Sequence, residues 1–321
     1  MLAAVHTQYG PPNVVFVKEV PVPVPKQDEV LIKVEASTVN RTDSGFRSAE
    51  YFISRFWSGL FKPKYQVLGC TYAGIVQAIG ANVSRFKPGD AVFGFNDQQF
   101  GGHAEYTVQK AEGPIAHVPA NITLAHAAAI PEGANYALNI LRAAQVQAGS
   151  QILIYGSTGA IGSAAVQLAI SMGARVTAVC STPHTALVKS LGAHKVVDYL
   201  TEDFTQTDLR YDFVFDAVGK SSFGACKPIF KPDGIYISTE LGKGGQNVFL
   251  AIWGGIFKTK KRVLFPIPTF SKEDMEWLAE KVVAGAFKPV IDRSYRLANI
   301  VGAYQYVEKG QKIGNVILQI G

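Results

Sequence analysis

The chain has 321 residues, 48% of them hydrophobic and 17% charged, a globular composition in a chain long enough to bury about 75% of the surface it exposes when unfolded. At about 100–200 residues per domain, this length predicts two lobes. Cys70, Cys180 and Cys226 stand far apart, with no CxxC pair and no His spaced to complete a zinc knuckle, which argues against a disulfide framework. The net charge of +6 suits a phosphate-rich ligand. Positive residues are scattered except at Lys258, Lys260, Lys261 and Arg262, which read as a solvated loop. With no zinc finger, RNP-like strand or basic heptads, nucleic-acid binding finds no support. The opening MLAAVHTQYG lacks the basic start and apolar run of a secretory leader, and no run of about 18 apolar residues occurs. A cytoplasmic chain without a transmembrane segment is expected.

From Val14 to Ala36 apolar and polar residues alternate, as at Val30, Ile32, Val34 and Ala36, with prolines at 21, 23 and 25, which predicts half-buried antiparallel strands. FKPGDAVFGF at 86–95 places a Pro-Gly-Asp turn before another apolar run, and GGHAEYTV at 101–108 reads as a strand. The first 120 residues therefore read as mostly β. After Asn121 helix formers dominate, with Asn121 or Thr123 as cap and Pro131 as a break. Short apolar strands at Ile152–Tyr155, Arg175–Cys180, Lys195–Asp198, Tyr211–Asp216 and Gly234–Thr239 then alternate with helices, the pattern of a parallel, doubly wound sheet. Past Phe265 the rhythm stops. A helix in SKEDMEWLAEKVVAG and a strand in NVILQI return the chain to the first lobe.

The segment QILIYGSTGAIGSAAVQLAISMGARVTAVCST carries the strongest signal, a buried strand running into Gly156, Ser157, Thr158, Gly159, Ala160, Ile161 and Gly162 and then a helix. Glycines without a Cβ let the backbone turn tightly and approach a pyrophosphate, whose charge meets backbone N–H groups at the helix N-terminus. In NAD binders an Asp or Glu about 20 residues on, at the end of the second strand, holds the ribose 2′-hydroxyl. Cys180, Ser181 and Thr182 stand there instead. Without that carboxylate nothing repels a 2′-phosphate, and NADPH is expected over NADH, with His184, Lys189 or Tyr199 completing the phosphate pocket. Ser181 and Thr182 also read as helix caps.

The segments KVEASTVNRTD, LGCTYAGIVQAIG, FKPGDAVFG, GGHAEYTV, YGSTGAIGSAAVQLA, SLGAHKVVDY and YDFVFDAVG, in this order, resemble the medium-chain dehydrogenase/reductase superfamily in its zinc-independent, quinone oxidoreductase-like branch. The resemblance spans essentially the whole chain. It implies an α/β fold: a GroES-like β-rich catalytic domain over 1–124, completed by 266–321, and a Rossmann NADP-binding domain over 125–265. The zinc-binding branch has a Cys near the position of Asn40 or Arg41, a His-Glu pair where Cys70 and Thr71 stand, and a third ligand near Glu132–Tyr136, where no Cys occurs. A zinc-free enzyme is therefore expected, with Cys70 as a small packing residue.

Without a Lewis acid the acceptor must itself be electrophilic, so quinones and enones or enals are expected substrates. By resemblance, Asn40 faces the nicotinamide and substrate, Asp43 braces its turn, and Asn135 meets the nicotinamide ribose or carboxamide. Ala217, Val218 and Gly219 line the cofactor groove, Thr239 and Leu241 lie beneath the nicotinamide, and Asn315 holds a place where relatives often carry Lys. Tyr51 and Tyr72 are candidate proton donors that also read as packing residues, and no catalytic acid is assigned. The apolar stretch 247–265 covers the substrate pocket or makes a homodimer contact, with peripheral contact to an anionic membrane as a further reading. A non-catalytic NADPH-binding protein and an alcohol dehydrogenase-like carbonyl reductase remain as alternatives.

Overall fold

A computed structural model describes residues 1–50 and 55–321. Strands β1 (Leu2–Val5), β2 (Phe16–Glu19), β3 (Glu29–Val39), β4 (Thr71–Ile79), β5 (Ala91–Phe95), β6 (Tyr106–Lys110) and β7 (Ile115–His117) come first. Then follow β8 (Gln151–Tyr155), β9 (Arg175–Cys180), β10 (Lys195–Asp198), β11 (Tyr211–Asp216), β12 (Phe230–Ser238) and β13 (Arg262–Leu264). Strands β14 (Ile291–Arg296) and β15 (Asn315–Gln319) come last. The helices are α1 (Arg41–Ser48), α2 (Arg55–Ser58), α3 (Leu124–Ala128), α4 (Pro131–Ala143) and α5 (Ala160–Ser171). They continue with α6 (Thr185–Ser190), α7 (Phe223–Cys226), α8 (Gln246–Phe257), α9 (Lys272–Val283) and α10 (Ile300–Glu308).

The chain forms two compact units. The first comprises Met1–Glu132, Phe270–Gly285 and Pro289–Gly321, the second Gly133–Thr269 and Ala286–Lys288. The division falls after α3 rather than at 124/125, because the buried Ala127 and Ala128 pack that helix against β3, β4 and β5. Thr123, not Asn121, caps α3, and Pro131 opens the next helix.

In the first unit seven strands run in the order β14-β15-β3-β4-β5-β7, with β6 also paired to β3. The alternation along β3 buries Val30, Ile32, Val34 and Ala36, because successive side chains leave a strand on opposite faces. Within the stretch that reads as mostly β the chain turns helical after Val39. Asn40 and Asp43 form a capping box there: the Asn40 side chain accepts from the Asp43 backbone N–H, and Asp43 accepts from that of Asn40. Those reciprocal bonds satisfy helix donors that a turn would leave to water.

The second unit holds one parallel sheet, ordered β10-β9-β8-β11-β12-β13. Ile152, Leu153 and Ile154 are all fully buried, so β8 reads as a continuous apolar run rather than an alternation. The strand order reverses between β8 and β11, and in such sheets ligands bind beyond the carboxyl ends of the strands at that point.

Candidate active site

In the second unit the predicted cofactor residues gather at one edge of the sheet. Gly156 follows β8, Ser181 follows β9, Tyr199 follows β10, Ala217 follows β11 and Thr239 follows β12, each at the carboxyl end of its strand. Three glycines shape the turn after β8 in different ways. Gly156 has φ +78°, and a Cβ there would lie 2.4 Å from Val218 Cγ1, so the loop after β11 sits directly on it. A Cβ on Gly162 would lie 2.1 Å from the Gly156 carbonyl oxygen, which makes glycine obligatory for closing the turn. A Cβ on Gly159 would meet no atom nearer than that same oxygen at 3.7 Å. Gly159 caps the 12-residue α5 without any side-chain hydrogen bond. The first N–H groups of a helix have no intrahelical partner and carry its positive dipole end. Uncapped amides beside a space that a Cβ would fill fit a dinucleotide pyrophosphate.

Other groups nearby are settled by internal bonds. Ser157 is buried and its hydroxyl donates to the Val179 carbonyl, so only its backbone faces the turn. Asp216, also buried, accepts from the backbone N–H groups of Val218, Lys220 and Ser221 and from the Tyr236 hydroxyl, which fixes the Ala217–Gly219 loop. Asn135 behaves differently: its Nδ2 donates to the Thr269 carbonyl at 2.6 Å, while its buried Oδ1 has no partner. Gly133, two positions earlier, would place a Cβ 2.8 Å from the Ala160 backbone, so the start of α4 packs against the start of α5. An unpartnered acceptor thus lies two residues beyond the point where α4 meets the start of α5.

One expectation needs correction. The end of β9 lacks a carboxylate, but β10 supplies one: Asp198 pairs with Cys180 across the sheet, and the Thr182 hydroxyl donates to its Oδ2. That bond, followed by the Leu200 N–H, holds the Asp198 carboxyl below its ordinary range, so it is charged. The Thr182 hydroxyl is therefore committed, and negative charge stands where the sequence reading found none. Ser181 makes no capping bond, and Tyr199 lies edge-on to Tyr155 at 6.0 Å.

The first unit builds a buried polar centre around Asn40. Its Nδ2 donates to Cys70 Sγ at 3.1 Å and to Thr38 Oγ1 at 3.3 Å. Asp43 Oδ1 accepts from the N–H groups of Gly69 and Cys70, at 3.1 and 3.0 Å. The sequence could not show His103: its Nε2 donates to the Thr38 carbonyl at 2.8 Å, and its Nδ1 faces the Tyr304 hydroxyl. Burial pushes His103 down to about 4, so the 3.8 Å approach to Asp43 is no ion pair at neutral pH. Burial pushes Asp43 up to about 7 against the opposing pull of its N–H donors.

Glu132, also missed, is buried and accepts from the Thr42 hydroxyl at 3.1 Å. Desolvation lifts its carboxyl to about 7, opposed by the Lys312 ammonium. Tyr72 is buried with its hydroxyl unpartnered, and burial raises it well above its ordinary range. Tyr51 lies outside the described residues. The Asn315 amide donates to the Val290 carbonyl at 3.0 Å, which occupies it within its own unit.

The sequence matches the family described as "Alcohol dehydrogenase GroES-like domain" over residues 26–120 and that described as "Zinc-binding dehydrogenase" over 191–318. The 2-methylene-furan-3-one reductase of Solanum lycopersicum is 32% identical over 99% of this chain and 79% of its own length. The chain belongs to the medium-chain dehydrogenase/reductase superfamily. Its quinone and enone oxidoreductases also include the chloroplastic NADPH-dependent alkenal/one oxidoreductase of Arabidopsis thaliana, 30% identical over 99% of this chain and 79% of its own. The structure of the Coxiella burnetii quinone oxidoreductase superimposes with a TM-score of 0.89 at 26% identity, covering 100% of this chain and 99% of that one. As a member of this superfamily, the chain is an oxidoreductase.

Zinc enters through the superfamily, and the residues present do not fit it. At the ligand positions, Asn40 offers an amide already engaged, and the Thr71 hydroxyl is bonded to Thr38. Cys70 is fully buried, and burial followed by the nearby Asp43 pushes its thiol well above its ordinary range. Zinc binds thiolate rather than neutral thiol and takes at least three protein ligands. Among the described residues no group of three or more His, Cys, Asp or Glu is placed to hold a metal ion.

Proposed function

We propose that this member of the superfamily is a zinc-independent reductase that uses NADPH in preference to NADH and delivers hydride to a quinone or to the carbon–carbon double bond of an α,β-unsaturated carbonyl. The observation that carries the reading is the uncapped start of α5, with open space at Gly159 between two sterically obligatory glycines. Bound there, a reduced dinucleotide supplies the hydride. The backbone N–H groups of Ala160, Ile161 and Gly162 hold its pyrophosphate, with Gly156 and Thr158 forming the approach. Asn135 Oδ1 accepts from the carboxamide, the one donor group on the nicotinamide ring. Ala217, Val218, Gly219, Thr239 and Leu241 line the groove.

At the other end Ser181, His184, Lys189 and Tyr199 receive the 2′-phosphate, without the Thr182 hydroxyl. Support for NADPH comes from the name of the Arabidopsis relative and from the net charge of +6. Asp198 works against it and narrows the margin. In the first unit, Asn40 and Asp43 act as positioning residues: their hydrogen bonds fix the start of α1 and the Gly69–Cys70 backbone. The unsuitable donor set at Asn40, Cys70 and Thr71 leaves polarisation to the acceptor itself, which favours quinones and enones over simple ketones. Protonation of the reduced product falls to solvent. The same reading takes the chain as a cytoplasmic homodimer, which sedimentation equilibrium and localisation of the tagged chain check.

The decisive experiment is an acceptor panel on chelator-treated protein with NADPH and NADH. Oxidation of NADPH by quinones or enones that survives chelation is expected. Turnover restored only by added zinc, or no turnover with either acceptor class, overturns the reading.

A further inference from the structure

Helix α8 carries an apolar face that stays exposed among the described residues. Phe249, Ile252, Trp253, Ile256 and Phe257 follow the i, i+3, i+4, i+7, i+8 spacing of one helical stripe, and each is between 48% and 67% exposed. The rings adjoin along the stripe in tilted pairs, Phe249 with Trp253 at 6.0 Å and Trp253 with Phe257 at 4.2 Å. The opposite side of the same helix is spent on the fold: Leu250 and Ala251 pack against the cluster of Leu153, Val214 and Tyr236, and Asn247 and Gly254 are buried. Stability therefore accounts for one side of α8 and leaves the other unexplained, and contiguous exposed apolar surface of this kind marks an interaction site.

Charge says what covers it. The helix ends at Lys258, whose left-handed conformation (φ 48°) turns the chain immediately beyond Phe257. Lys258 and Lys260 are exposed there, Lys243 is exposed just before the helix, and Arg262 follows. From Leu241 to Ser271 the sequence contains no Asp or Glu. Among the described residues none of Lys243, Lys258, Lys260 and Arg262 is held in an ion pair. A second copy of the chain is a poor match, because pairing through this face would bring two acid-free basic segments together with no opposite charge between them. A surface of fixed negative charge over an apolar interior matches both halves of the patch. Aromatic rings lodge at the headgroup level, and lysines at the rim draw in anionic lipid.

We propose that the exposed face of α8, with Lys243, Lys258 and Lys260, docks the protein peripherally on an anionic lipid bilayer. No helix among the described residues is long and apolar enough to cross a membrane. The attachment is therefore interfacial and salt-sensitive.

The test is co-sedimentation of the full chain with phosphatidylcholine vesicles made with and without phosphatidylserine. Binding to the anionic vesicles, none to the neutral ones, and release by high salt are expected. The variant Lys258→Glu/Lys260→Glu should bind at least about tenfold more weakly, and Trp253→Ser/Phe257→Ser should lose binding, both with unchanged circular dichroism. No binding of the wild-type chain overturns the proposal, as does binding that both variants retain. Sedimentation velocity separates the remaining outcome: if Trp253→Ser/Phe257→Ser dissociates an oligomer and leaves vesicle binding intact, the face joins copies of this chain and the proposal fails.

Discussion

The polar centre of the first unit and the turn after β8 in the second each contain residues that look functional in the sequence, but their hydrogen bonds are in opposite states. Around Asn40, Asp43, Thr38 and His103 the polar groups answer one another, and a buried polar group with its partners in place holds backbone geometry. At the start of α5 no side chain caps the helix, and the buried Asn135 oxygen has no partner. Buried polar atoms left without partners cost about 1–3 kcal/mol each, so unsatisfied groups point to a ligand and satisfied ones to architecture. The contrast teaches that residue type alone does not separate a binding group from a brace.

The sharpest way to break the comparison uses the two glycines. Gly162→Ala forces a Cβ to 2.1 Å from the Gly156 oxygen and should abolish NADPH binding together with fold stability. Gly159→Ala has room and a φ of −70°. It should leave the melting temperature unchanged and weaken NADPH at least about tenfold by filling the space meant for phosphate. Titration calorimetry beside thermal unfolding checks both, and undiminished affinity in Gly159→Ala would remove the cradle from the argument.

In the first unit the expected losses are in stability. Asp43→Ala strips the acceptor from Gly69 and Cys70 and should cost about 3 kcal/mol in denaturant unfolding, while Asp43→Asn, which keeps an acceptor, should recover most of it. The pH dependence is a smaller effect. Burial raises Glu132 from 4.5 to about 7, so the folded state holds a proton that the unfolded state has already released. Stability from this group is complete below pH 4.5 and is lost as pH rises through about 7, by about 3 kcal/mol in all. Asp43 has the same sign. His103, lowered to about 4, has the opposite one and loses stability as pH falls from 6.5. Glu132→Gln should flatten the decline between pH 4.5 and 7, and an unchanged profile would remove Glu132 as its source. Smallest is Asp198→Asn, which should improve NADPH affinity relative to NADH by about three- to tenfold through loss of an exposed charge. Equal changes for both nucleotides would show that Asp198 does not face the 2′ position.

Particular residues show where reading the sequence stops. The Asn40–Asp43 pair has capping-box spacing, yet Asn and Asp also make turns, and strands on either side hid the helix between them. Asp198 was visible as a strand residue, but its bond to Thr182 spans 16 positions and exists only because β9 and β10 lie side by side. Glu132 sits in a stretch whose one sequence signal is a missing cysteine, and the ammonium acting on it belongs to Lys312, far along the chain. The exposed stripe on α8 could be read as apolar, but not as uncovered, because a helix apolar on both sides is ordinarily buried on both.

By itself the sequence determined the alternation of β3, the buried strands of the parallel sheet and the glycine turn after β8. Each of these is fixed by steric and hydrophobic rules that act within a few residues. Tertiary structure alone decided which polar groups are satisfied. It placed a carboxylate beside Thr182, enclosed His103 and Glu132 away from water, and left one face of α8 bare. Hydrogen bonding and desolvation depend on what the fold brings within a few ångströms, and residues far apart in the chain supply it.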